Sequence, residues 1–172
     1  MSTPLPENLQ GAFVDSMGAP IAYGDEQIVQ GDDWKLDGPV VVEVRFIGDA
    51  ADQHQVVRIS AKKPGTVKLT DGEKVRALEV VHDPKLPRFV RHPVDPKGGS
   101  ILVYNAYTVE RDGRSYQESW TGNAGMIVTP RSMTSRLYEC SSGVGPFDRN
   151  DLRFEVSILP ADAPWMPKDI YE

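Results

Sequence analysis

The chain of 172 residues holds one cysteine, Cys140, and three histidines. A lone thiol closes no internal disulfide, so the fold needs no oxidising compartment. No apolar run approaches the ~20 residues of a membrane-spanning helix. The leading MSTPLPENLQ is largely polar, without the charged-then-apolar order of a secretory signal. The expected location is therefore the cytoplasm, and no membrane partner is expected. Export without a classical signal, or residence in a phage particle, would leave the same pattern. A basic surplus is missing too: 19 Lys and Arg stand against 25 Asp and Glu, a net charge of −6. That balance argues against non-specific binding to nucleic acid, which needs cations facing phosphates.

Catalytic signatures are equally scarce. There is no G-x-S-x-G elbow, no H-E-x-x-H pair and no glycine loop opening a helix; GNAG at 122–125 is too short for one. Cys140 ends a strand with no histidine near it in sequence and reads as buried and inert. No catalytic residue is assigned. His82 and His92 flank a proline-rich stretch; if they met, Asp83 or Asp95 would complete three ligands for zinc or iron. Otherwise they are solvated or hydrogen-bonded loop residues.

What the sequence does have is strands. In GPVVVEVRFIG the residues Val40, Val42, Val44 and Phe46 share one parity, the period-two pattern of a strand. QVVRISA (55–61), TVKLT (66–70), KVRALEVV (74–81), AGMIVT (124–129), TSRLYEC (134–140) and DLRFEVSI (151–158) continue it. Asp71-Gly72 and Asp112-Gly113 suit two-residue hairpin turns, because both residues tolerate positive φ. The second turn would pair Val109 with Tyr116, Tyr107 with Glu118 and Asn105 with Trp120, leaving Tyr104, Ala106 and Thr108 on a wetter face. About ten short strands, 15 glycines, 14 prolines and no long amphipathic window predict an all-β antiparallel sandwich, jelly-roll or C2/Ig-like, with little helix. One domain over 1–172 is expected. Residues 1–30 read as a hairpin or edge extension around Met17-Gly18. Residues 82–99 read as a long connection with RFVRH as its one short strand, and 160–172 as a tail. Trp165, Ile170 and Tyr171 make that tail too apolar for a free end, so it should dock on its own sandwich, a second subunit or a protein partner.

Two stretches are candidate sites. GPFDRNDLRFEV (145–156) crowds Asp148, Asn150 and Asp151 at the mouth of a strand. Over about ten residues it resembles the last-strand signature of some bacterial calcium-associated β-sandwich modules. That resemblance implies Asp148, Asn150 and Asp151 as oxygen ligands to calcium; Arg149 within the cluster departs from it. An Asx-type turn feeding the strand is the other reading, and a partner surface the third. SWTGNAG (119–125) offers Trp120 and Asn123 beside Tyr104 and Tyr107. Rings over an amide suit a carbohydrate, although the hairpin register puts Trp120 on the core face. The sequence thus points first to a non-catalytic sandwich that self-assembles or binds a protein partner. A calcium or carbohydrate module is the alternative, and a small β-fold enzyme using the loop histidines the second.

Overall fold

A computed structural model describes residues 8–48, 55–83, 85 and 88–165. Strand formation follows the alternating stretches closely, and one helix precedes them. The elements are α1 (Leu9–Asp15), β1 (Ile21–Tyr23), β2 (Glu26–Ile28), β3 (Asp32–Lys35), β4 (Val40–Phe46), β5 (Val56–Ala61) and β6 (Thr66–Lys68). There follow β7 (Lys74–Val75), β8 (Ala77–Val81), β9 (Phe89–Asp95), β10 (Ser100–Arg111), β11 (Arg114–Glu118), β12 (Gly125–Pro130), β13 (Ser135–Ser141) and β14 (Leu152–Pro160). All named pairings are antiparallel.

One sheet runs β11-β10-β5-β8, with β3 also on β10, and a second runs β12-β13-β14-β4-β9-β6-β7. β1 and β2 form a separate hairpin. The two large sheets turn their apolar parity toward each other: Val57, Ile59, Ile101, Val103 and Val80 from the first, and Val42, Val44, Phe46, Tyr138, Phe154 and Val156 from the second, make one buried cluster. This is the all-β, sandwich-like fold that the alternation predicts. Tyr138 and Phe154 stack at 4.9 Å near its centre.

Several local expectations are corrected. The N-terminal segment is not a hairpin at Met17-Gly18. Asn8 caps a seven-residue helix by accepting from the Gly11 N–H at 3.3 Å. Leu9 and Phe13, one turn apart, bury against Ile28 and Ile127 on the outer face of the seven-stranded sheet. Met17 and Gly18 end the helix with positive φ, and the hairpin turns later, between Tyr23 and Glu26. Within residues 82–99 the expected short strand at RFVRH is the seven-residue β9, which bridges β4 and β6. The Asp71-Gly72 turn holds three residues, not two: Gly72 N–H donates to Leu69 O and Leu69 N–H to Glu73 O. That is a type I turn closed by a left-handed glycine at φ 88°. The Asp112-Gly113 turn has both residues at positive φ and the expected register, Val109 with Tyr116 and Tyr107 with Glu118. The pairing of Asn105 with Trp120 does not occur; Asn105 stands opposite Val57. Nor is the second face of β10 wet throughout: Tyr104 and Ala106 are both buried.

Candidate functional site

The cluster at 148–151 is a turn in which one carboxylate oxygen each of Asp148 and Asp151 is engaged. Asp148 Oδ1 accepts the Asn150 N–H at 2.9 Å, and Asp148 O accepts the Asp151 N–H at 3.2 Å. Asp151 Oδ2 accepts both the backbone N–H (3.0 Å) and the hydroxyl (3.2 Å) of Ser142. Burial pushes the Asp151 carboxyl above its usual value, aided by the Asp148 charge and opposed by the Ser142 bonds. A calcium ion held by Asp148, Asn150 and Asp151 would have to compete with these bonds. Among the described residues no group of three or more His, Cys, Asp or Glu is placed to hold a metal.

Arg149 reaches furthest from this turn. Its guanidinium donates to both carboxylate oxygens of Glu26 on β2, at 2.7 and 2.9 Å, and to Glu139 on β13 at 2.7 Å. The pairing holds the Glu26 carboxyl below its usual value and raises that of Arg149 further. A second brace lies nearby. Asp32 Oδ2, on β3, accepts from Tyr138 Oη at 2.6 Å and from Arg136 Nη1 at 2.8 Å, and the Arg136 guanidinium lies 4.0 Å over the Trp34 ring. Burial, then the Asp32 charge, raises the Tyr138 phenol, so it stays a donor. β2 and β3 are thus both fastened to β13.

Between these braces a ladder opens. Val29 and Met126 exchange two backbone hydrogen bonds of 2.8 Å. Antiparallel pairs of that kind recur every second residue, which would make Gln27 and Val128 the next pair. No bond joins them among the described residues. Beside that missing pair lies a cleft of about 620 Å³ lined by Asp25, Glu26, Gln27, Asp32, Val128 and Arg136. Strand alternation aims the main-chain groups of Val128 and Gln27 into it, because β13 and β1 use those of Ile127, Glu26 and Ile28. Sequence reasoning misses this cleft. Its walls lie about a hundred positions apart, and only the free edge of β12 brings them together.

The other predicted residues fall in separate places. Tyr107 is a core residue: its hydroxyl contacts Thr121 O (3.0 Å) and Oγ1 (2.6 Å) and accepts the Thr121 N–H (2.9 Å). Asn123 is a brace, accepting the Leu9 N–H and donating to Gly145 O. Trp120 is not core. It leaves the strand with φ 64° and is 38% exposed, its ring beside Tyr104 at 4.8 Å. Trp165 lies half-buried with Lys68 Nζ 5.5 Å from its ring, while Pro164 O accepts from Arg91 at 3.0 Å. The start of the tail therefore docks on the outer face of its own seven-stranded sheet. Ile170 and Tyr171, like His54, lie outside the described residues.

His82 and His92 do not meet. His82 packs edge-on against Phe46 and contacts Gly48 O at 3.2 Å, whereas His92 stands opposite Val42 and contacts Lys68 O at 3.0 Å. Phe46 and Val42 are four residues apart on β4, roughly 13 Å at the strand rise. Cys140 is fully buried, and burial pushes its thiol well up, so the nucleophilic thiolate is disfavoured.

Burial also pulls the His92 imidazole below its usual 6.5, against the raising effect of the Lys68 carbonyl. The folded state then favours the neutral ring. Its stabilising contribution is complete above the unfolded value and drains away as the pH falls below it. The denaturation midpoint is expected to drop between about pH 7 and pH 5, and His92→Gln to flatten that drop. An unchanged slope in the variant would place the acid sensitivity elsewhere.

Comparison of the chain with protein families, with curated proteins and with solved structures gives no match. The functional reading therefore rests on the site itself.

Proposed function

We propose that this protein is a non-catalytic interaction module that takes an extended segment of a protein partner into the cleft between β2 and β12. One observation carries the reading: the ladder begun at Val29 and Met126 is interrupted at Gln27 and Val128, while Arg149, Asp32 and Arg136 fasten the cleft's walls. An extended peptide presents N–H and C=O groups at the strand repeat and completes such an edge by strand addition. A braced cleft spares the ordering cost that a collapsing one would add on binding. Asp25 lines the cleft without an ion pair among the described residues, which favours a Lys or Arg on the incoming segment.

The test is Val128→Pro. Proline removes the cleft-facing N–H but none of the bonds to β13, so an edge position tolerates it. A display library of random linear peptides, selected on the immobilised protein, is expected to yield binders that lose roughly tenfold or more affinity for a Val128→Pro protein of unchanged melting temperature. Concentration-dependent dimerisation abolished by the same substitution would support the self-assembly form of the reading, with a second copy as occupant. Binders that do not distinguish the two proteins, or no binders and no dimer, would refute it.

A further inference from the structure

A second surface, independent of the cleft, lies on the outside of the five-stranded sheet. Tyr104, Arg58 and Glu79 stand in register across β10, β5 and β8. Their neighbours Val57, Ile59, Val103, Leu78 and Val80 face the core, so these three side chains point the other way, Tyr104 lying buried at 8% exposure beneath Trp120 and Arg58. Arg58 lies 5.5 Å from the Tyr104 ring and its Nε is 3.3 Å from Glu79 Oε1. Arg58 Nε is itself buried without a hydrogen bond, so what faces outward is the rest of the guanidinium and the Glu79 carboxylate, on side chains 31% and 44% exposed. Trp120 extends the row beyond Tyr104, its ring tilted 37° to the tyrosine.

Trp120 is held in an unusual way. A bulky residue at φ 64° sits in backbone strain that side chains of its size rarely tolerate. The indole N–H donates to Gln30 O at 2.7 Å, so the ring's one polar atom is committed inward and the ring cannot swing away. Core burial does not account for this, because over a third of the residue stays exposed. The outcome is a fixed aromatic surface at one end of a row whose other end offers a donor and an acceptor of cancelling charge.

We infer that this row is a carbohydrate site: a neutral oligosaccharide lies along it, one sugar ring stacked on Trp120, with Tyr104 as the buried backing of that ring, while hydroxyls of the adjoining sugar bond Arg58 and Glu79. A pyranose needs an apolar plane for its C–H face together with both a donor and an acceptor beside it. A phosphate-bearing ligand would meet the Glu79 carboxylate in a protein already at −6. A quaternary ammonium prefers rings on several sides, and here the one exposed ring, that of Trp120, lies on one side only. Tyr107 and Asn123, which the sequence groups with this site, take no part because their polar atoms are spent inside the fold.

The experiment titrates the full chain with neutral hexasaccharides built from glucose, xylose, mannose or N-acetylglucosamine, following the Trp120 indole N–H by NMR. At least one should bind below about 10 mM, an affinity of a few kcal/mol, and shift that resonance. Trp120→Asn removes the ring while keeping a residue that tolerates positive φ; followed through the backbone amide resonances of β5, β8 and β10, since the indole is gone, it should weaken binding roughly tenfold or more. Glu79→Ala, which leaves the aromatic pair untouched, should weaken it too. The proposal is overturned if no hexasaccharide binds, if one binds both variants as well as the parent, or if only a proline-rich peptide moves the resonance.

Discussion

Replacing Gly143 by alanine is expected to lower the unfolding free energy by roughly 3 kcal/mol, the upper range for an added methyl in a packed site. A Cβ at this glycine would come within 2.6 Å of Tyr107 Cε2 and Cζ, and closer still to the hydroxyl. Tyr107 cannot retreat. It is 1% exposed, and Thr121 engages its hydroxyl through the backbone N–H, the carbonyl and Oγ1. Burial pushes this phenol above its usual value, despite the bonds to Thr121, so it remains a neutral group wedged between two loops. The backbone at Gly143 lies outside the left-handed region; the glycine is needed for space, not for its φ. Tyr107→Phe should not rescue the variant, since two of the crowded atoms are ring carbons that phenylalanine keeps. Chemical denaturation of the single and double variants checks this, and a Gly143→Ala protein within about 1 kcal/mol of the parent would mean the loop moves aside easily.

That glycine illustrates what the sequence conceals. In SSGVGPF it reads as ordinary loop punctuation, and nothing local announces a buried tyrosine from 36 positions upstream. Strands were legible because the physics is local: Val40 to Phe46 alternate, and the alternation survives into burial on the inner face. The Asp112-Gly113 hairpin was legible for the same reason, its turn type and register both being set within a dozen residues.

Trp120 shows where local reasoning stops. β11 and β3 occupy the same edge of β10, the first beside residues 107–111 and the second beside 100–103. A hairpin strand continued past Glu118 would run into β3, so the chain must leave the sheet at Ser119 and Trp120. The positive φ of Trp120 is that exit, and the indole anchors on Gln30 just before β3 begins. The hairpin register holds as far as Glu118. Beyond it β3 (Asp32–Lys35), more than eighty positions earlier in the chain, claims the rest of the edge. The helix α1 escaped for a different reason: seven residues with one apolar pair fall below any useful periodicity window, and its stability comes from packing on Ile28 and Ile127.

The cluster DRND was visible, but its most connected member was not the expected one. The carboxylates and the amide carry the look of ligands, whereas Arg149 makes the long-range contacts and supports the cleft wall. The charge that departs from the calcium-module resemblance is the charge that joins β2 to β13.

The last expectation asks where the importance of GPFDRNDLRFEV lies, in its turn or in its strand. Phe154→Ala should cost about 3–5 kcal/mol, the usual range for emptying a buried aromatic site. Phe154 is fully buried, stacks on Tyr138 with an interplanar angle of 8°, and stands in register with Phe46 on the neighbouring strand. Tyr138 in turn holds Asp32, so loss of the stacked ring should also loosen the tie between the two sheets. Asp148→Ala removes one side-chain acceptor from an exposed turn N–H, a loss of about 1 kcal/mol or less. Denaturation of both variants under identical conditions decides between strand and turn. If Asp148→Ala costs as much as Phe154→Ala, the turn carries an interaction beyond the Asn150 hydrogen bond, and the oxygen cluster, not the strand behind it, would be the element the fold depends on.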